Sequence, residues 1–484
     1  MHTIIVGNGI LGLTIAYRLL RKASEGDSIT IVGPSSRPGS ASLAAGAMLN
    51  SFAEIEAGSL DTDLDQYRFE MSHLATRMWP SFEKELIEYA GDALPSGCKD
   101  CQGYALEGGC AQEGTFVINN TSADDLDDDN FEAIISALVD FNEPHSLINP
   151  RDIPGYKPAQ KSRATRAVVI HNEGWYNPRL FIEKLDAILL KSPKIRIVND
   201  TVDKLYLSSG LISKVQLSSG EIIDGDHFVL ANGASLTDLL NRSDLDLNIQ
   251  RIFYGVGVSL EVRVAEGHFQ PKCIRTPNRG LACGIYSVPY FWDPVETRKH
   301  ILIGASNFVS EKPLHYGRVS SAESILKAGM DQVNEDFYKA ELVRVNVGWR
   351  PVSSDTYPII GKSEINNLYI ASGTKRDGFH LSPLISEIIC SQIFGELQDP
   401  RLKQFEPSRK LIRSLTREQA ITKSVRHMMS AAFQHEFNPS RGRMSSTLIQ
   451  SYRTDLERLH DQVGAYEWGI PPELIEMYRY GHIK

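Results

Sequence analysis

The sequence predicts an α/β fold, and three observations carry the prediction. An apolar strand, Thr3 to Val6, runs straight into Gly7-Asn8-Gly9-Ile10-Leu11-Gly12 and then into a helical pattern over Ile10 to Lys22, with Leu11, Ile15, Leu19 and Leu20 on one face. A second apolar run, Ser28 to Val32, completes a βαβ unit. The order of strand, glycine turn and helix returns in "NLYIASGTKRDGFHLSP" (367–383).

Each glycine of the first turn has a physical role. Gly7 permits the tight turn, Gly9 lets the backbone approach a pyrophosphate, and Gly12 lets helix and strand pack closely. The helix N-terminus at Ile10 offers unpaired N–H groups and a positive dipole end to phosphates. A Rossmann-like dinucleotide site is therefore expected, the alternative being a Gly-rich turn in a plain α/β protein. One part of the fingerprint is missing. The acid that holds the ribose hydroxyls belongs about 20 residues past the third glycine, and that place is Gly33, followed by Pro34. The ribose contact then falls to backbone, to Ser35 or Ser36, or to a distant group.

Composition narrows the class. The chain has 484 residues, 42% hydrophobic and 23% charged, which is globular and long enough for two or three domains. A formal net charge of −9, with 51 basic and 60 acidic residues, argues against nucleic acid as the main partner. Six cysteines without a framework of regular spacings point to a reducing compartment. The N-terminal apolar run has no Lys or Arg before it and is interrupted by Asn8 and three glycines, unlike a secretory signal. No other stretch reaches the roughly 20 apolar residues of a membrane span. A soluble, cytoplasmic protein is expected.

Four further stretches follow in order. "GSASLAAGAML" (39–49) is a loop of small residues leading into a hydrophobic turn, and "EGWYNPRLFIEKL" (173–185) opens a helix after a short strand. "VDKLYLSSGLISKVQLSSGEIIDGDHFVLANGAS" (202–235) reads as a three-strand meander and then a strand ending in Ala231-Asn232-Gly233. "GWRPVSSDTYPIIG" (348–361) precedes the second strand–turn–helix. In this order the stretches resemble the FAD-dependent amino-acid and amine oxidoreductases of the D-amino-acid oxidase, glycine oxidase and sarcosine oxidase superfamily, over roughly residues 1–400. Glycine oxidase is the most similar in layout.

The resemblance implies a Rossmann-like FAD-binding domain of the glutathione-reductase type, an interleaved mixed-sheet substrate domain and, here, a C-terminal helical extension. The FAD-binding segments would be roughly 1–60, 160–245 and 340–400. The substrate domain would be 61–159 and 246–339, and the extension 401–484. Alternation at "IFYGVGVSLEVRV" (252–264) and "KHILIGAS" (299–306) supports the mixed sheet.

Roles are implied residue by residue. Gly7, Gly9, Ile10 and Gly12 would hold the pyrophosphate. Ser42, Ala45, Gly46 and Met48 would lie along the phosphate and the isoalloxazine edge, Val202 would hold the adenine, and Ala231 and Gly233 would pass close to the dinucleotide. Gly373, Gly378, Phe379, His380 and Leu381 would bring a helix N-terminus to the flavin edge that becomes negative on reduction. Arg350, in "GWRP", matches the arginine that grips the substrate carboxylate, for which a planar fork of donors is suited; the alternative is an Arg that pins the following turn. Arg376, in "GTKRDG", is a second candidate for an anion clamp, although Thr374, Lys375 and Asp377 depart from the family's usual wording. Tyr286 lies where a substrate-contacting tyrosine often stands, Tyr290 is a weaker candidate, and core packing serves either equally.

The implied activity is oxidation of the C–N bond of an amino acid or related amine by hydride transfer to flavin N5, followed by imine hydrolysis. Orientation and electrostatics do most of the work in such a reaction. The small-residue loop holds no His and Val352 to Gly361 no Cys, so non-covalent FAD is expected. With one dinucleotide fingerprint, electrons should enter from the substrate, an amine or amino acid. Two other functions fit the long extension: a biosynthetic flavoenzyme acting on a larger or carrier-bound amine, or an FAD-carrying subunit of an oxidoreductase complex.

Other motifs carry less. Cys98, Cys101 and nearby Cys110 lack a local fourth ligand for zinc, and no metal site is expected. "IIGKSE" (359–364) lacks the earlier glycine of a P-loop, and no GxSxG is present. "ADDLDDDNFE" (123–132) reads as a solvated loop opening a helix. Residues 401–430 hold eight Lys or Arg against two acids. Helices are predicted over Glu418 to Phe433, Ser445 to Val463 and Glu473 to Tyr480, docking on the acidic body or serving a dimer or partner contact.

Overall fold

The computed structural model describes all residues except 92–110, 121, 266–269, 280–283, 291–299, 435–442 and 484. The cysteine group at 98–110 lies outside the described residues.

The βαβ opening forms as the pattern predicts: strand His2–Val6, helix Ile10–Lys22 and strand Ser28–Val32. These strands pair in parallel and sit inside a six-stranded sheet. Its order is Ile359–Lys362, Leu368–Ser372, His227–Leu230, His2–Val6, Ser28–Val32, Ile195–Val198, with only the first pair antiparallel. Strand alternation sends side chains to two cores. Ile5, Ile31, Val229 and Ala371 face a helical layer that includes Ile10–Lys22, Pro178–Leu190 and Ser382–Ile393. Ile4, Val6, Phe228 and Leu230 face the antiparallel meander Val202–Ser208, Leu211–Leu217, Ile222–Asp224. Buried on both faces, these strands read as continuous apolar runs, as parallel strands must.

The second sheet is mixed and ten-stranded, and Ile252–Arg263, near one end of its order, pairs with three other strands. It also takes in Met48–Leu49, Arg166–Tyr176 and Glu341–Ser353, although these strands fall in segments assigned above to the dinucleotide domain. Arg166–Tyr176 has 11 residues, not a short strand, and Glu341–Ser353 has 13, and both pair only within the second sheet. The chain thus crosses between the two sheets just where the small-residue loop and Arg350 lie.

The acidic run opens the helix Asp125–Asp140 as expected, but it is not solvated throughout: Asp127 is buried against Arg279, while Asp128 pairs with Arg166 and Asp129 with Arg426. In the C-terminal region helices Arg417–Gln434 and Arg443–Gln462 lie near their predicted places, while the last is shorter, a 3-10 turn Pro472–Leu474 and then Ile475–Arg479. Ile421, Leu456, Leu459 and Ile470 close a core with Phe253 and Val352 of the mixed sheet. The extension's basic residues meet acids of the body, at Arg401–Glu70, Arg409–Asp355 and Lys423–Glu56. No helix among the described residues is long and apolar enough to cross a membrane.

Candidate functional site

A cleft of about 320 Å³ opens at the glycine turn and runs between the two sheets. Gly7 has φ +113°, and an added Cβ would lie 2.4 Å from the Ala231 carbonyl oxygen. At Gly12 a Cβ would lie 1.9 Å from the Gly7 carbonyl oxygen, so the helix can touch the strand only through glycine. Gly9 differs: its added Cβ would meet nothing nearer than the Ser42 hydroxyl at 3.5 Å. It faces open cleft. The helix that begins beside it has no side-chain cap on Gly9 and no acid in its first turn. The Ile10 N–H donates to Ser42 Oγ at 3.1 Å. A helix N-terminus that takes no cap from its own N-cap residue, beside an open glycine, is a cradle for a pyrophosphate.

The missing acid at Gly33 has a steric explanation. A Cβ there would lie 2.4 Å from Asn8 Cγ, because the Asn8 amide occupies the place and donates to the Pro34 carbonyl at 3.0 Å. Arg37, unforeseen in sequence, lies alongside: its Nε donates to the Asn8 carbonyl at 2.9 Å and its Nη2 to both oxygens of Asp186 at 2.7 Å. Arg37 lines the cleft, whereas Ser35 and Ser36 do not. The Ser35 N–H is taken by Asn199.

The small-residue loop is small because of the strand beneath it. A Cβ on Gly39 would lie 2.1 Å from the Trp349 ring, and one on Gly348 would lie 2.9 Å from Ala44 Cβ. The Trp349 N–H donates to the Gly39 carbonyl at 2.8 Å, which ties loop to strand. The next residue, Arg350, lies across Gly257 of the neighbouring strand, whose added Cβ would sit 2.4 Å from the guanidinium carbon. One terminal nitrogen of Arg350 donates to the Ser306 carbonyl at 3.1 Å and to Asn307 Oδ1 at 3.0 Å. The alternating glycines in "YGVGV" are the sequence signal that the strand makes room for an arginine.

The structure brings many of the sequence-derived residues to this one cleft. Gly7, Gly9, Ile10, Ser42, Ala45, Val202, Ala231, Gly233, Arg350, Arg376, Gly378 and Phe379 all line it. Others stand behind it. Gly12 packs helix on strand, and Gly373, at φ +67°, turns against the Tyr357 carbonyl. Met48 lies in the mixed sheet opposite Trp175, with its sulfur 3.3 Å from Cys273 Sγ. Tyr286 is buried in the cluster of Trp175, Cys273, Val288 and Tyr290, and its ring closes on Gly46 and Gly304. Tyr290 is also buried, its hydroxyl accepting from Arg179 Nε at 3.2 Å. Leu381 is buried in the helical core. His380 is buried too, with Nε2 2.7 Å from Thr76 Oγ1 and its carbonyl accepting from Trp79 Nε1 at 2.8 Å. Burial pushes its pKa down to about 4.

Arg376 lies 3.6 Å from Glu54, which is also held by Arg275 at 2.6 Å. Burial opposes ionisation of Glu54, but the two arginines outweigh it and hold the carboxyl down at about 2. Glu54 went unnoticed in the sequence because it follows the loop without a motif. Among the described residues no group of three His, Cys, Asp or Glu is placed to hold a metal.

Comparison with known proteins completes the picture. A family model described as FAD dependent oxidoreductase (DAO) matches residues 2–392. The bifunctional protein ThiO/ThiG of Trichormus variabilis is 26% identical over 266 residues, which is 55% of this chain and 37% of that protein. Its counterpart from a Nostoc species is 28% identical over 270 residues, again 55% of this chain and 37% of that protein. The chain thus spans little more than a third of the length of these relatives. Among solved structures, glycine oxidase from Geobacillus kaustophilus superposes with a TM-score of 0.67 at 20% identity, covering 85% of this chain and 99% of that one. Iminodiacetate oxidase from a Chelativorans species gives 0.66 at 19%, covering 84% and 98%. The likeness to the solved structures is one of fold. The extent of the family match, together with a glycine turn, open cradle and helix N-terminus that fit a dinucleotide, assigns the chain to the DAO family of FAD-dependent oxidoreductases.

Proposed function

We propose that the protein oxidises the C–N bond of an amino acid or related amine. The observation that carries the reading is the pair Arg350 and Arg376, which line the same cleft that starts at the phosphate cradle. FAD supplies the chemistry as the acceptor of a hydride from the substrate carbon that bears nitrogen. Gly7, Gly9, Ile10 and Ser42 hold its pyrophosphate, and Val202, Ala231 and Gly233 its adenosine half. The two arginines hold a substrate carboxylate and thereby fix which C–H bond is presented. The mixed sheet and Tyr286 shield this end of the cleft from water, and the imine product hydrolyses after release. The fold neighbours named for glycine and iminodiacetate, each an amine bearing carboxylate, support the substrate class.

FAD would be held without a covalent bond on this reading. The Ser40–Ala45 loop has no His or Cys, and burial pushes the Cys273 thiol up to about 12, far from a reactive thiolate.

The test is an anaerobic visible spectrum of the FAD-loaded protein during addition of D-, L- and N-methyl amino acids. Bleaching by one class is expected, and absence of bleaching by any amine would overturn the reading. Arg350→Ala should lower kcat/KM about 10- to 150-fold, chiefly through KM, since charged hydrogen bonds contribute about 1.5–3 kcal/mol. Unchanged turnover would remove Arg350 from the carboxylate site.

A further inference from the structure

Beside the cleft lies a second cavity of about 220 Å³, and Lys375 and Arg376 line both. One wall comes from the family core, with Glu54, Glu56, Asp65, Arg68 and Asp377. The opposite wall comes from the C-terminal segment, with Ser414, Lys423, His427, Pro472 and Glu473. That segment lies beyond residue 392, where the family match ends.

Charges facing this cavity are paired, two of the pairs across it and one within the core wall. Lys423 meets Glu56 at 2.8 Å, Lys375 meets Glu473 Oε1 at 2.7 Å, and Arg68 meets Asp377 at 3.3 Å. Two groups on the C-terminal wall break the pattern. The second oxygen of Glu473 is buried and has no hydrogen-bond partner among the described residues. His427 is only 6% exposed, and its Nδ1 also has no partner there. Burial lowers the His427 pKa to about 4, so its ring is neutral near pH 7 and keeps one nitrogen as an acceptor. Burial also opposes ionisation of Glu473, but Lys375 and Arg376 outweigh it and keep it a carboxylate. A buried carboxylate oxygen left unpaired is rare and costly, and His427 Nδ1 joins it as a second acceptor when the ring carries its proton on Nε2, so this wall calls for a donor.

We propose that this cavity receives the distal end of the substrate, where Glu473 and His427 accept hydrogen bonds from an N–H-bearing group, an amide or an ammonium. The proposal rests on the amine-oxidation reading above and deepens it. The C-terminal segment, rather than the family core, then selects among amines. An alkyl end leaves both acceptors unpaired, and a carboxylate end faces Glu473 with like charge.

The test uses the full-length FAD-loaded protein and two matched pairs in both enantiomers: glutamine against glutamate, and lysine against norleucine. Steady-state kcat and KM are measured, with anaerobic flavin bleaching as the second readout. The N–H-bearing member of at least one pair should be preferred fivefold or more in kcat/KM, mainly through KM. Preference in the first pair identifies an amide, in the second an ammonium. Glu473→Gln, and separately His427→Leu, which leaves the Glu473–Lys375 pair in place, should each cut that preference at least threefold. Bleaching with preferences below fivefold in both pairs overturns the cavity proposal and leaves amine oxidation standing. No bleaching by any amine overturns amine oxidation, and the cavity proposal with it.

Discussion

Gly12→Ala and Gly9→Ala separate the two tasks of the glycine turn, packing and cofactor approach. At Gly12 the new Cβ would sit 1.9 Å from the Gly7 carbonyl oxygen, where ordinary contact begins at 3.4 Å. The helix Ile10–Lys22 must therefore move off its strand by roughly the difference, 3.4 − 1.9 = 1.5 Å. The blocking atom is backbone, so no side chain can swing aside. Overpacking of this kind costs about 1–3 kcal/mol, and this site belongs at the upper end. With an unfolding entropy of about 2.1 cal/mol/K per residue, the whole chain has roughly 1 kcal/mol/K, so Tm of the FAD-free protein should fall by about 3 °C. The same shift moves the first-turn N–H groups from the phosphates, and loss of one charge-assisted hydrogen bond weakens FAD binding about 10- to 100-fold. Gly9→Ala should behave differently. Its φ is −78°, which alanine adopts freely, and the Cβ meets nothing nearer than 3.5 Å. Its FAD-free stability should stay within about 0.5 kcal/mol of the parent. Its FAD affinity should still fall, because the methyl group projects into the open cradle. Calorimetry of the FAD-free proteins and FAD-fluorescence titrations measure both effects. The reasoning fails if Gly12→Ala retains parental Tm and affinity, or if Gly9→Ala lowers Tm as much as Gly12→Ala.

Two further predictions concern the extension and acid stability. Arg409→Ala leaves Asp355, whose side chain is 1% exposed, without its main cation, and should cost about 3–5 kcal/mol. Since Asp355 also accepts from the Ile412 N–H at 2.9 Å, limited proteolysis should release the 401–484 region earlier than in the parent; parental resistance would refute this. His380 is buried neutral with its pKa at about 4 against 6.5 for the unfolded chain, so between these values the unfolded state binds more protons. Stability should therefore fall as pH drops from 6.5 to 4, with His380 contributing about 3 kcal/mol of the loss. In His380→Asn, urea midpoints measured across this window should lose that part of the slope, and an unchanged slope would show the ring is not buried neutral.

What could be read from sequence was local. Gly7, Gly9 and Gly12 act within a dozen residues, so their spacing alone places the helix Ile10–Lys22 and the strand Ser28–Val32 where the structure has them. The meander of 202–224 was equally legible, since its strands pair with neighbours in the chain. Arg350 could be named from its motif, but not its seat over Gly257, which lies 93 positions away in sequence and one strand away in space.

Residue chemistry and short-range periodicity pointed to the α/β class and the glycine cradle, while Arg350 and Arg376 were named only through the family resemblance. Tertiary structure alone decided which sheet Arg166–Tyr176 and Glu341–Ser353 join, why Asn8 replaces an acid at Gly33, and where the C-terminal helices dock. A periodic pattern fixes which face of an element is buried. Which surface buries it depends on contacts between residues distant in the chain, and those exist only once the whole core has packed.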